Sequence, residues 1–170
     1  METWDAVRAR LNVRQFSPEP VDPTDLDRVL EGGRRAPSAQ NRQPWDFVVV
    51  TDPQRRADLA RVWKGAWHVA DAPAVIAVVA PRVEEDRARS ILYFDLGQAT
   101  MTMMLVAADL GLATAHANAQ DQELARSILG FPEDRFLANM ISVGRPAEGP
   151  LRPIEVDRRP FDEVVHLETW

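Results

Sequence analysis

Pro37-Ser38-Ala39-Gln40-Asn41-Arg42-Gln43-Pro44-Trp45 runs directly into Asp46-Phe47-Val48-Val49-Val50-Thr51. The first nine residues are polar and bracketed by prolines, which reads as a loop. The next six are rich in β-branched groups, which reads as a strand. The loop is dense in amides and hydroxyls. Amides both donate and accept, so they suit a neutral polar ring system better than a lone phosphate. An ordinary polar connection is the competing reading of the same residues.

Downstream, Asp52-Pro53 has the acidic cap and first-turn proline of a helix start, followed by the stripe Leu59, Val62 and Trp63. Ala74 to Ala80 is continuously apolar, as a strand covered on both faces should be. From about Glu84 to Gly111 there is no proline and only Gly97 interrupts. That stretch is apolar almost all round, so it reads as a long, central, buried helix. Leu112 to Ala119 follows as a short apolar stretch, extended or loop. Asp121 to Leu129 reads as a helix closed by Gly130, and Phe136 to Val143 as a last strand. Upstream, Asp22-Pro23-Thr24-Asp25 starts a helix carrying Leu26, Val29 and Leu30, and Gly32-Gly33 loosens its end. Thr3 is placed as the cap of a short helix through Arg10, with Trp4, Val7 and Leu11 on its apolar stripe. The order of elements predicts a mixed α/β arrangement, one sheet with helices on its faces.

Ala147 to Trp170 is different. It holds Pro150, Pro153 and Pro160, yet also Ile154, Val156, Phe161, Val164, Val165, Leu167 and Trp170. So many apolar groups must be buried on something, either the chain's own domain or a second subunit.

The 170 residues fit one domain, 1–170, which at this mass exposes roughly 8,000 Å² when folded. The absence of cysteine removes disulfides, thiolate metal sites and cysteine nucleophiles. A net charge of −6 argues against nucleic acid or an anionic membrane as partner. The most apolar runs, Ala72 to Ala80 and Thr100 to Ala108, are shorter than the ~20 residues that span a bilayer. A charged N-terminus lacks the core of a signal peptide, so a cytoplasmic location is expected. Of the 20 basic residues only Lys64 is lysine. A coding bias accounts for most of that, and some arginines sit where a planar charged fork is wanted.

No catalytic side-chain constellation is present. His68, His116 and His166 are too scattered for a metal site, so no metal is expected. There is no phosphate-binding glycine motif and no nucleophile elbow. An enzyme built this way takes its reactive atom from a cofactor. In Arg10-Leu11-Asn12-Val13-Arg14, an extended backbone turns residues 10, 12 and 14 the same way, presenting two forks and an amide to one ligand.

The arm and the loop together resemble the nitroreductase family of flavin enzymes. Arg10-Leu11-Asn12-Val13-Arg14 is similar to the family's Arg-x-Ser-x-Arg/Lys arm, with Asn12 in place of serine. Pro37-Ser38 through Asn41, Gln43, Pro44 and Trp45 resembles its Pro-Ser-x-x-Asn-x-Gln-Pro-Trp loop. Asp71-Ala72-Pro73, Asp95-Leu96-Gly97-Gln98-Ala99, Ala108-Asp109-Leu110-Gly111-Leu112 and Val143-Gly144-Arg145-Pro146 extend the likeness in order. Arg158-Arg159-Pro160-Phe161-Asp162 resembles its close.

The resemblance implies an α+β, three-layer fold: a mixed, mainly antiparallel sheet flanked by helices, with the C-terminal segment 147–170 exchanged with a partner subunit. It implies a homodimer with FMN between subunits and NAD(P)H as co-substrate. By position, Arg10 holds the phosphate and ribityl chain with Asn12 beside it. Arg14 approaches the pyrimidine edge, where a cation stabilises the reduced ring and raises its potential. Pro37 and Ser38 come from the other subunit, while Asn41 and Gln43 bond ribityl and ring atoms on the first. Asn118 and Ala119 lie by the ring, with Asn118 able to supply a left-handed backbone, and Arg158 or Arg159 closes on the phosphate. Trp67, His68 and His116 are the expected substrate-pocket residues. Met101, Met103 and Met104 are core packing. The implied activity is hydride transfer from NAD(P)H through flavin N5 to a nitroaromatic, quinone or similar acceptor by a ping-pong route. The same fold with another reaction (dehalogenation, flavin breakdown, deazaflavin-linked reduction) or a non-catalytic flavin-binding protein are the alternatives.

Overall fold

A computed structural model describes residues 1–170. Four strands form one sheet in the order β1-β2-β4-β3, all neighbours antiparallel: β1 Asp46–Val50, β2 Ala74–Pro81, β3 Ala113–Ala117 and β4 Arg135–Gly144. The N-terminal arm adds to the free edge of β3. Asn12 bridges Thr114 in parallel and Val13 N–H donates to the Thr114 carbonyl at 2.9 Å. The sheet is therefore mixed and mainly antiparallel, and the fold is α+β. β2 lies inside the sheet, and Ala74 through Ala80 are all buried, which explains a run with no polar alternation.

Helices cover both faces. On one, α2 (Pro23–Arg34) and α5 (Asp86–Asp109) pack on Ile76, Val78, Ile141 and Val143. On the other, α3 (Pro53–Leu59), α4 (His68–Asp71) and α6 (Gln122–Leu129) enclose Val75, Ala77, Leu137 and Met140. The helix starts are side-chain capped. Asp22 accepts from Thr24 N–H, Asp52 from Arg55 N–H, Glu85 from Arg87 and Ala88 N–H, and Asp121 from Leu124 N–H. Gly130 closes α6 with φ +75°, the left-handed cap that glycine adopts freely.

Three local expectations are corrected. α1 (Thr3–Ala9) begins at Thr3 with Glu2 as its uncapped N-cap. Its buried residues are Ala6 and Ala9, while Trp4 and Val7 are exposed. Small residues let α1 lie close on α5, leaving the large apolar ones outside. Gly32-Gly33 does not loosen α2, which continues to Arg34. A Cβ on Gly33 would stand 2.8 Å from the Met103 side chain, and one on Gly32 2.8 Å from Val106, so the glycines allow α2 to approach α5. Met103 and Met104 are core residues, but Met101 is exposed on a face of α5 with Ile91, Tyr93 and Phe94. α5 also has the length and composition to cross a membrane, yet half of its most apolar window is buried in this core.

Residues 152–170 are exposed throughout, with only the short turn Phe161–Glu163 among them. The tail does not pack on its own domain. The chain exposes 10366 Å² against the roughly 8,000 Å² expected of a compact monomer of this mass.

Candidate functional site

The arm is held by main-chain bonds on both sides of Arg14. Val13 is tied to Thr114, Ser17 N–H donates to Arg145 O at 2.8 Å, and Ala147 N–H donates to Gln15 O at 3.1 Å. Leu11 and Val13 are half-buried, whereas Asn12 and Arg14 are exposed. No hydrogen bond or ion pair engages the Arg10 or Arg14 guanidinium, whereas Arg34, Arg35, Arg89, Arg126 and Arg135 are all paired with carboxylates. Arg8, Arg28, Arg55, Arg87 and Arg152 are likewise unpaired. What sets Arg10 and Arg14 apart is their place on one arm tied to the sheet edge, where free forks are available to an anion.

Arg14 shares a cleft of about 390 Å³ with Trp67, Gln15, Pro146 and Glu148. Trp67 is 51% exposed; its neighbour His68 is fully buried, the two rings meeting edge to face at 5.8 Å. His68 Nδ1 lies 2.9 Å from Ser142 Oγ on β4, and Ser142 is also fully buried. Burial holds the His68 pKa down to about 4, with the charges of Arg14 and His116 adding to the effect. The imidazole is thus neutral at physiological pH. Of the three residues expected to line a pocket, Trp67 does so, His68 lies behind it, and His116 is exposed on β3. Arg56 fixes this segment from behind by donating to the carbonyls of Ala70 and Ala72 at the end of α4.

The loop after α2 is a second, separate constellation. Gln40, Asn41 and Gln43 have φ of 55°, 54° and 51°, three non-glycine residues in the left-handed region within four positions. Such backbones persist only where their surroundings hold them, and they gather at binding sites. Main-chain bonds close the turn, Asn41 N–H to Ser38 O at 2.9 Å and Trp45 N–H to Gln43 O at 2.8 Å, and two side chains brace it. Ser38 Oγ accepts from Gln43 N–H at 2.9 Å, and Asp95, 3% exposed on α5, accepts Ala39 N–H at 3.0 Å. Asp95 was not singled out as a site residue. Its signal was a lone carboxylate in an otherwise apolar stretch of helix. A cleft of about 490 Å³ runs beside this loop between Gln40, Arg42, Arg87 and Ile91, with Asp95 in its lining.

The loop geometry corrects one inference. Ser38, Asn41 and Gln43 belong to one hydrogen-bonded turn, so whichever subunit supplies Pro37 and Ser38 supplies Asn41 and Gln43 as well. The arm cleft and the loop cleft have no lining residue in common. Asn118 keeps an ordinary backbone, and its Oδ1 accepts the Ala119 N–H at 2.8 Å, engaging that amide within the chain. Arg158 and Arg159 lie on the exposed tail, bonded only to Asp157 and Glu163, and one chain does not bring them to the arm.

This arrangement defines a class: an α+β protein with an arginine-bearing arm on a sheet edge and a strained amide loop anchored to the central helix. The chain matches the nitroreductase family model over residues 7–81 and 63–145, and it belongs to that family. It is similar to the NADH dehydrogenase of Thermus thermophilus, 28% identical over 181 residues that cover 87% of this chain and 88% of the relative. It is similar as well to an FMN reductase (NAD(P)H) of Bacillus subtilis, 27% identical over 182 residues covering 94% and 70%. Its fold matches the FMN-dependent nitroreductase of Clostridium difficile R20291 with a TM-score of 0.85 at 21% identity, covering 98% of this chain and 99% of that one.

Proposed function

We propose that this protein is an FMN-dependent oxidoreductase that takes hydride from NAD(P)H and passes it to a nitroaromatic, quinone or similar acceptor, working as a homodimer. The observation that carries this is the pair Arg10 and Arg14, unpaired on a tethered arm, with Arg14 and an exposed indole in one cleft. The residues present fit FMN. Free guanidinium groups suit its phosphate and the pyrimidine edge of its ring, and the amides of a strained loop suit the ribityl hydroxyls. The names carried by the Thermus thermophilus and Bacillus subtilis relatives support the reading.

FMN, when bound, supplies the two-electron chemistry. The chain's own residues bind and orient. Arg10, with Asn12 beside it, holds the phosphate and ribityl end, and Arg14 sets a permanent positive charge at the pyrimidine edge. Pro37, Ser38, Asn41 and Gln43 enter as one rigid turn from the second subunit, held in shape by Asp95. The exposed tail brings Arg158 and Arg159 across to the partner's phosphate end, and the region of Asn118 and Ala119 borders the ring. No side chain is required as nucleophile or base. The open cleft beside Trp67 admits nicotinamide and acceptor in turn, giving ping-pong kinetics.

Arg10→Ala tests the assignment. Loss of a charge-assisted bond of about 1.5–3 kcal/mol weakens FMN binding by roughly one to two orders of magnitude in a fluorescence titration. Unchanged affinity removes Arg10 from the phosphate site.

A further inference from the structure

His68 and Ser142 form a polar pair in the layer otherwise made of Val69, Ala72, Val75, Ala77 and Met140. Both are fully buried, and His68 Nε2 has no hydrogen-bond partner. A buried polar atom without a partner is destabilising, and two apolar residues of similar shape remove that cost. A polar pair is a costly way to fill this layer, and its place beside the cleft is what distinguishes it. Its aromatic neighbour is Trp67, whose ring meets the imidazole at 85° and which lines the cleft that holds Arg14. An exposed indole normally samples several rotamers. Here it stands perpendicular to a buried ring, centroids 5.8 Å apart, that a hydrogen bond to β4 holds in place.

We infer that His68 is a positioning residue: bonded to Ser142 and packed at right angles to Trp67, it fixes Trp67 as a rigid wall that favours flat aromatic electron acceptors over compact ones. This rests on reading the Arg14–Trp67 cleft as the acceptor site. A preset wall keeps the ordering entropy of the indole out of the binding step, so its loss raises KM for a stacking acceptor and leaves kcat unchanged.

The experiment uses the flavin-loaded protein with menadione, a flat quinone, and with ferricyanide, a compact acceptor. Ser142→Ala is expected to raise KM for menadione about fivefold at constant kcat, with FMN content and ferricyanide turnover unchanged. In a Trp67→Leu background the same substitution is expected to have no further effect. Near-ultraviolet circular dichroism of the flavin-free protein gives a reading that needs no activity. Ser142→Ala and His68→Leu are each expected to abolish the band that Trp67→Leu abolishes, while His68→Asn, which can still bond Ser142, retains part of it. The inference is overturned if the band persists in Ser142→Ala and His68→Leu, if KM for the two acceptors rises equally, or if the Ser142→Ala effect adds in full to that of Trp67→Leu. A parent protein that neither binds flavin nor turns over refutes the oxidoreductase reading, and the dichroism then decides the positioning role alone.

Discussion

His68 shows what a single residue contributes here. A free histidine takes up a proton near pH 6.5, but burial beside Arg14 and His116 delays this one to about pH 4. Between those values the unfolded chain binds the proton and the folded chain does not, so stability falls as pH falls from about 7 to 4 and this contribution is constant below. From pH 7 to pH 5 the loss is about 2 kcal/mol. Urea denaturation of the parent and of His68→Leu at both values measures it, and the variant is expected to lose about 2 kcal/mol less. Equal losses mean that the imidazole titrates normally in the fold. Residues of this kind were the hardest to read in advance. Arg10, Arg14, Ser38, Asn41 and Gln43 stand in motifs whose spacing is visible along the chain. Asp95 and Ser142 act through bonds between positions 56 and 74 residues apart in sequence; a lone carboxylate in an apolar stretch is the one local mark of the first, and nothing local marks the second.

At the level of elements, periodicity located most helices and strands within a few residues, missing the one-turn α4 and leaving β3 open between strand and loop, but could not say what each apolar face meets. The α1 stripe of Trp4 and Val7 faces outward. A stripe reports hydrophobicity alone, and the alanines beneath it set the packing distance. Gly32 and Gly33 are a second case, since a glycine pair near a helix end looks the same whether it ends the helix or admits a neighbour. The structure assigns the second role. Gly33→Ala places a methyl group against Met103 at 2.8 Å and is expected to destabilise the fold by about 1–3 kcal/mol in thermal or urea unfolding, without altering helix content. A neutral or stabilising result means that α2 and α5 have room to separate. The strained loop belongs to this scale as well: Gln40, Asn41 and Gln43 hold left-handed backbones in a turn that main-chain bonds close and Ser38 and Asp95 brace.

For the whole molecule, the surplus of exposed area and its apolar character point the same way. Ile91, Tyr93, Phe94 and Met101 on α5, Trp4 and Val7 on α1, and Phe161, Leu167 and Trp170 on the tail are uncovered in one chain. So much exposed apolar surface marks an association site. Phe94, 69% exposed, lies in the middle of the α5 group, and Phe94→Arg is expected to shift the protein to monomer in analytical ultracentrifugation. A solvent-facing residue tolerates the change. A sequence lists such residues without showing which remain uncovered; in the fold, residues 152–170 do not pack on their own domain. The arm cleft and the loop cleft share no lining residue, and on the proposed reading they are two halves that only a second chain brings together. On that reading, two chains complete two flavin sites. Native mass spectrometry of the protein loaded with FMN tests it directly. The expected species has the mass of two chains plus two FMN. A single chain that retains FMN, or a dimer that takes up none, contradicts the account.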